Sequence, residues 1–201
     1  MARHLSAAVL IAVSAALLGF ALANIRSELA FWSSAPEAAR FAAIASGTVT
    51  PGTSLFAKDR YFSDCLDLPD SLYARAQPSD RRAAFLAACA DAARSVTAAM
   101  PTYARAWLAL ALTDIDALDQ ARATAPEVAW LADRRLLLAL RHDTEPTRDI
   151  AVLLTSAAGT RALAAHYLAM PESRELFLSV AERAPLDQQR RFLSAIKAAA
   201  P

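Results

Sequence analysis

The sequence predicts an all-α protein, and three observations lead to that prediction. Alanine is abundant and only 4 of the 201 residues are glycine, a balance that favours helix because alanine has the highest helix propensity and glycine one of the lowest. Apolar residues recur at spacings of three and four along most of the chain, which is the period of an amphipathic helix. Prolines divide the sequence into segments of roughly 10 to 20 residues, so we expect a series of short helices joined by short turns.

The N-terminal segment has a different character from the rest. Residues 5–25 carry no charged side chain and follow a short start that contains Arg3. An apolar run of roughly 20 residues is long enough to cross a bilayer as a helix. The same stretch also fits a secretory signal peptide, with Ala21-Leu22-Ala23 as an A-x-A cleavage site. Two interpretations therefore stay open: an uncleaved membrane anchor, or a leader that is removed after Ala23.

Both interpretations place the rest of the chain on the same side of the membrane. Arg3 puts positive charge ahead of the apolar run, whereas Arg26 and Arg40 are balanced by Glu28 and Glu37 behind it. The positive-inside rule therefore favours translocation of the remainder. We expect a single-pass protein of the bacterial inner membrane with its body in the periplasm or, after cleavage, a secreted or periplasmic protein.

We divide the chain into a leader (1–25), an irregular or partly helical segment (26–78) and a helical body (79–201). In the middle segment the pattern predicts a helix over 37–46, a loop over 48–60, and two short helical turns within 61–76. In the body, prolines or glycine separate the predicted helices, which are 79–100, 102–118, 127–142, 147–157, 160–170, 172–184 and 186–200. Gly159 is expected to break a helix, and Leu186 and Leu193 align with Ile196 along one face of the last helix.

Several classes of function lack a signal in this sequence. The net charge of +1 provides no electrostatic footprint for nucleic acid. The four glycines are too scattered to form a phosphate-binding loop. The histidines lack metal-ligand spacing, and neither His142 nor His166 belongs to a nucleophile motif. We therefore predict no catalytic residue, no cofactor, no metal ion and no nucleic-acid partner.

Cys65 and Cys89 are the only cysteines in the chain. In an oxidising compartment we expect them to form a disulfide, which would join the 61–76 segment to the helix that begins near Ser79. The alternative is that Cys89 is a small buried hydrophobic residue on its helix.

Three residues of the predicted 127–142 helix are candidate contacts for a partner or ligand: Trp130, Arg134 and Arg135. An arginine can stack on a tryptophan ring or pair with a carboxylate. One interpretation is a salt bridge between helices, with Asp133 as a nearby candidate. The other is a groove that contacts an acidic partner or a sugar acid.

One junction of the body resembles the boundary between two tetratricopeptide repeats. In that family, small or apolar residues line the second helix, a proline closes the repeat, and an aromatic residue opens the next, with a period of about 34 residues. The matching positions are Cys89, Ala93, Val96, Pro101, Trp107, Leu110 and Ala111. Pro126 arrives earlier than a regular period would place it. The resemblance implies antiparallel helical hairpins, arranged as a tetratricopeptide-like solenoid or as a compact helical bundle.

A second resemblance covers more of the chain. The exported leader, the two cysteines, and the stretches PTYARAWLALA and PEVAWLADRRLLLAL look like a group of small bacterial proteins encoded with exopolysaccharide-assembly genes. This resemblance implies a non-enzymatic, membrane-tethered scaffold with protein partners in the cell envelope. The alternative expectation is a periplasmic enzyme or ligand-binding protein that uses a groove lined by arginine and tryptophan.

Overall fold

The computed structural model describes residues 11–22, 25 and 35–200. The structure is 77% helix and no strand occurs among these residues, which confirms the all-α prediction. The chain packs as two compact units that divide in sequence between Ala92 and Ala93.

The α-helices from residue 35 onward are numbered in chain order. They are α1 Glu37–Ala45, α2 Leu55–Asp67, α3 Leu72–Arg75, α4 Ser79–Ala99, α5 Ala104–Leu110, α6 Ala117–Thr124, α7 Ala129–Arg141, α8 Thr147–Leu154, α9 Ala157–Ala169, α10 Arg174–Glu182 and α11 Leu186–Ala199. Two short 3-10 turns, Leu68–Asp70 and Pro171–Ser173, precede α3 and α10.

The described part of the N-terminal segment is helical and solvent-exposed. Residues 11–22 form a helix whose side chains are all exposed. Within the described ranges, no helix is long and apolar enough to cross a membrane. Residues 5–10 and Ala23 lie outside the described residues, so the span 5–25 and the cleavage after Ala23 stay predictions.

The first unit contains one helix start that the sequence analysis placed wrongly. The predicted loop over 48–60 ends at Ser54, because α2 already begins at Leu55. The Ser54 hydroxyl accepts a hydrogen bond from the Ala57 backbone N–H at 3.0 Å, which satisfies one of the unpaired donors at the start of a helix. The helical turns expected within 61–76 are the second half of α2 and the short α3.

Two contacts tie the beginning of α4 to the helices before it. Cys65 on α2 and Cys89 on α4 form a disulfide, and both residues are fully buried. The ring of Phe41 on α1 stacks on Phe85 of α4 with centroids 4.5 Å apart. These contacts join the first half of α4 to the first unit, and the division into segments 26–78 and 79–201 stays a prediction.

The second unit begins with a helix that is shorter than predicted. The expected helix over 102–118 is wrong, because α5 ends at Leu110 and α6 starts at Ala117. The Leu110 carbonyl accepts hydrogen bonds from the Thr113 hydroxyl at 3.2 Å and from the Asp114 N–H at 3.0 Å. A side chain that bonds to the last carbonyls of a helix competes with its continuation.

Gly159 does not break a helix, contrary to the prediction. The break lies before it, where the Ser156 hydroxyl caps α9 by accepting a hydrogen bond from the Gly159 N–H at 3.0 Å. A Cβ atom on Gly159 would lie 2.4 Å from the backbone oxygen of Leu153. The glycine therefore permits α9 to approach the backbone of α8 closely.

The helices of the second unit contact both their nearest and their next-nearest neighbours along the chain. Thus α7 contacts α8 and α9, α8 contacts α9 and α10, and α9 contacts α10 and α11. A shared core lies among them and includes Leu136, Ile150, Leu153, Leu163, Phe177, Val180 and Phe192.

Substitution of Gly159 tests the close approach of α8 and α9. Gly159→Ala should lower the free energy of unfolding by about 1 to 3 kcal/mol, because the added methyl meets backbone that must shift, even though alanine is the better helix former. Urea denaturation of the variant and the parent gives this difference. The matched control is Ala165→Gly at an exposed position of the same helix, which should cost at most about 1 kcal/mol. A Gly159→Ala variant as stable as the parent would contradict the account.

Candidate functional site

Arg135 on α7 lies inside the protein. It is only 1% exposed. Its Nε donates a hydrogen bond to Asp149 Oδ1 at 2.6 Å, and its Nη1 donates to the Ala125 carbonyl at 2.9 Å. The expectation that Arg135 contacts a partner is therefore wrong. The alternative of a salt bridge between helices is confirmed, although the carboxylate is that of Asp149 and not that of Asp133.

A second guanidinium binds the same carboxylate. Arg122 on α6 donates a hydrogen bond to Asp149 Oδ2 through Nε at 2.9 Å, and its Nη2 lies 2.8 Å from the same oxygen in the ion pair. The Arg122 Nη2 also donates to the Glu145 carbonyl at 2.8 Å. Asp149 is fully buried on α8. We call Arg122, Arg135 and Asp149 the Asp149 cluster, and it joins α6, α7 and α8.

Local structure favours the position of each member of the cluster. Asp149 lies in the first turn of α8 and Arg122 in the last turn of α6, which are the ends where the helix dipole favours a negative and a positive charge respectively. Arg135 also reaches the carbonyls of Ala121, at 3.4 Å, and Ala125 at the end of α6. At Ala125 it thereby satisfies an acceptor that the end of the helix leaves without an intrahelical partner.

The exposed member of the predicted site is Trp130, and its arginine partner comes from another helix. The Arg105 guanidinium of α5 lies 4.3 Å from the centroid of the Trp130 ring. Trp130 is 44% exposed and Arg134 is half-buried. The structure thus provides the arginine–tryptophan stacking that the sequence suggested, but with Arg105. This pair, and not the Asp149 cluster, is accessible to a ligand.

His166 and the two cysteines have structural partners. His166 on α9 forms a 2.7 Å contact with the Asp133 carboxylate on α7, and His142 is the C-terminal cap residue of α7. The sulfurs of Cys65 and Cys89 are bonded to each other, so neither is a free thiol for a histidine to activate. Within the described residues, no group of three His, Cys, Asp or Glu side chains could hold a metal ion.

The first unit buries polar groups of its own. Asp64 forms an ion pair with Arg40. Burial raises the pKa of the Asp64 carboxyl above its usual value, and the positive charge of Arg40 opposes that rise. Burial and the negative charge of Asp91 raise the pKa of Tyr61 to about 12. The phenol of Tyr61 therefore stays neutral under ordinary conditions.

A groove with a volume of about 430 Å³ lies among α8, α10 and the start of α11. Its walls are mainly apolar and it contains none of the residues predicted as contacts. The lining residues are Thr147, Ala151, Leu154, Thr155, Val180, Arg183, Ala184, Pro185 and Gln188.

Sequence reasoning missed Asp149, Arg122 and the partnership of Arg105 with Trp130. Asp149 follows Pro146 and looks like an ordinary acidic residue of a first helical turn, so no local signal distinguishes it from an exposed one. Comparisons with protein-family models, with curated proteins and with solved structures found no match to this chain.

Removal of the buried carboxylate tests the role of the Asp149 cluster. Asp149→Asn should lower the free energy of unfolding by about 3 to 5 kcal/mol, because the buried Arg135 guanidinium loses its counter-charge and Arg122 keeps only the exposed Asp119. Asp119→Asn is the matched control, since Asp119 is an exposed partner of Arg122 at 3.1 Å and should contribute less than about 1 kcal/mol. Urea denaturation measures both variants. Equal losses of unfolding free energy in the two variants would show that the buried Asp149 contributes no more to stability than the exposed Asp119.

Proposed function

We propose that this protein is a non-enzymatic scaffold on the periplasmic side of the bacterial inner membrane, held there by its N-terminal segment. The observation that carries the proposal is the buried disulfide between Cys65 and Cys89. Disulfides form and persist in oxidising compartments such as the periplasm and are rare in the reducing cytosol. The disulfide thus supports the direction of translocation that the charges around residues 5–25 favour.

The exposed N-terminal helix supports the membrane tether. All the side chains of residues 11–22 are solvent-exposed, and none of them is charged. A continuous exposed apolar surface is costly in water and typically marks a membrane or protein contact. In this proposal the segment 5–25 is retained as a single-pass anchor, and the alternative is release after cleavage at Ala23.

The neighbour pattern in the second unit supports tetratricopeptide-like hairpins. Contacts to the next and next-but-one helix, as between α7, α8 and α9, are those expected when helical hairpins stack side by side. At the junction that resembles a repeat boundary, the Trp107 indole Nε1 donates a hydrogen bond to the Pro101 carbonyl at 2.7 Å. Stacked hairpins commonly present surfaces to protein partners, so the architecture suits a scaffold.

The sharpest form of the proposal is an accessory role in exopolysaccharide or cell-envelope assembly. It rests on the resemblance to small proteins encoded with exopolysaccharide-assembly genes. The Asp149 cluster agrees with a scaffold, because its three charged groups are paired with one another inside the second unit and stabilise the fold.

A second candidate function is binding of a sugar acid at the exposed pair of Arg105 and Trp130. An indole face can stack on a sugar ring, and a guanidinium can pair with a carboxylate. The observation that favours it is the 4.3 Å stacking of Arg105 on the half-exposed Trp130 ring.

The compartment can be tested with reporters fused after residue 201. An alkaline-phosphatase fusion should be active and a β-galactosidase fusion at the same position inactive, because alkaline phosphatase requires the oxidising periplasm. In the same cells, Cys65 and Cys89 of the full chain should react with a thiol reagent only after unfolding and reduction. An inactive phosphatase with an active galactosidase, or thiols that label without reduction, would contradict export.

A cross-linking experiment distinguishes the scaffold role from sugar binding. Cells of the protein's own bacterium are treated with a chemical cross-linker, and the full chain is then purified from their membranes in detergent. We expect a membrane component of polysaccharide polymerisation or export to be cross-linked to the parent and to a Trp130→Ala variant, with no oligosaccharide bound. Mass spectrometry identifies both kinds of partner.

The opposite outcome would favour the second candidate. An acidic oligosaccharide that accompanies the parent but not Trp130→Ala would support the sugar site and contradict the scaffold. The control is Trp107→Phe, since the Trp107 indole is hydrogen-bonded within the connecting turn and takes no part in the Arg105 stacking.

A further inference from the structure

The disulfide encloses the part of the first unit that has the shortest helical elements. Cys65 lies near the end of α2 and Cys89 lies in the first half of α4. The chain between them contains the 3-10 turn Leu68–Asp70 and the four-residue α3. Isolated helices shorter than about 12 residues are marginal in water, so the order of this segment depends on how α2 and α4 are held together.

Other contacts between α4 and the preceding helices include a ring stacking and a long hydrogen bond. Phe41 of α1 stacks on Phe85 with ring centroids 4.5 Å apart, and the Tyr61 hydroxyl of α2 donates a hydrogen bond to the Ala88 carbonyl at 3.4 Å. A hydroxyl hydrogen bond of this length is weak, since the usual distance is about 2.7 to 2.8 Å. The covalent bond is therefore the strongest of these ties between α4 and the helices before it.

The first unit is small for a domain that folds by its core alone. From residue 35 to residue 92 it contains roughly 60 residues, a length at which single domains are marginally stable. In the chain-entropy model, a link that closes a loop of about 25 residues favours the folded state by roughly 10²- to 10³-fold. This factor is comparable to the whole folding equilibrium constant of a marginal domain.

We propose that the bond between Cys65 and Cys89 is a redox-dependent folding switch of the first unit. This unit is folded when the bond is present and unfolds when the bond is reduced. The second unit contains no cysteine and is folded in both states. The inference goes beyond the proposed scaffold function and rests on it only for the place of oxidation: the first unit stays open in the cytosol and closes after export.

The oxidant is a disulfide-bonded donor protein of the oxidising compartment. The thiolate of one cysteine attacks the donor disulfide and forms a mixed disulfide. The thiolate of the other cysteine then displaces the donor, which leaves as a dithiol with the two electrons and two protons that the cysteine thiols lose. Because Cys65 and Cys89 are both 0% exposed in the folded unit, this exchange has to occur while the unit is still open.

Limited proteolysis of the full chain in detergent tests the switch. One sample is unfolded in urea with a thiol reductant and refolded with the reductant present, and a second is treated identically without it. Because proteolysis follows the population of the open form, trypsin should cleave after Lys58 and Arg60 of α2 at least about tenfold faster in the reduced sample. Cleavage after the buried Arg135 of the second unit should be equally slow in both. Equal rates after Lys58, or rapid cleavage after Arg135 in the reduced sample, would overturn the proposal.

The double variant Cys65→Ala, Cys89→Ala is the matched control for the reductant. Without reductant, trypsin should cleave it after Lys58 at least as fast as the reduced parent, and added reductant should leave its rate unchanged. A double variant as resistant as the oxidised parent would overturn the switch. None of these rates depends on the compartment, so evidence against export would contradict the proposed scaffold and leave the result of proteolysis as it stands.

Discussion

The fully buried carboxylate of Asp149 is the constraint on which the second unit depends. A carboxylate without water needs a counter-charge and hydrogen-bond donors. Here Arg122 and Arg135 supply both, at distances of 2.6 to 2.9 Å. Because the three residues come from α6, α7 and α8, the cluster determines how these helices lie against one another. Arg135 extends this role to the end of α6, where it binds the Ala125 carbonyl.

Because Arg135 and Asp149 are paired inside the second unit, only other residues of this unit are available to contact partners. Of the arginines and tryptophan predicted as contacts, Arg135 belongs to the interior, and the stacking on Trp130 comes from Arg105. Among the described residues of the second unit, the exposed features include the pair of Arg105 and Trp130, an apolar groove at α8 and α10, and the side chains of Leu186 and Leu193 on α11. Such surfaces suit recognition of other proteins, in agreement with the proposed scaffold.

The sequence predicted the fold class and the cysteine pair, because helix propensity, apolar periodicity and cysteine usage are properties of composition and local spacing. The predictions from sequence failed where the role of a residue depends on a contact with a residue from another helix. Gly159 looks like a helix breaker until the backbone of Leu153 is placed against it. Asp149 looks like a surface acid until two helices place arginines beside it. The helix start after Ser54 was missed because the preceding Pro51-Gly52 turn signal was extended too far.

The central claim is that Arg135 and Asp149 stabilise the second unit as a pair and do not act as separate charges. A double-mutant cycle with Arg135→Met, Asp149→Leu and the double variant, followed by urea denaturation, measures this most directly. The account predicts that the free energy of unfolding falls by several kcal/mol in each single variant. In the double variant it should fall by at least about 2 kcal/mol less than the sum of the two single losses. Additive losses would contradict it.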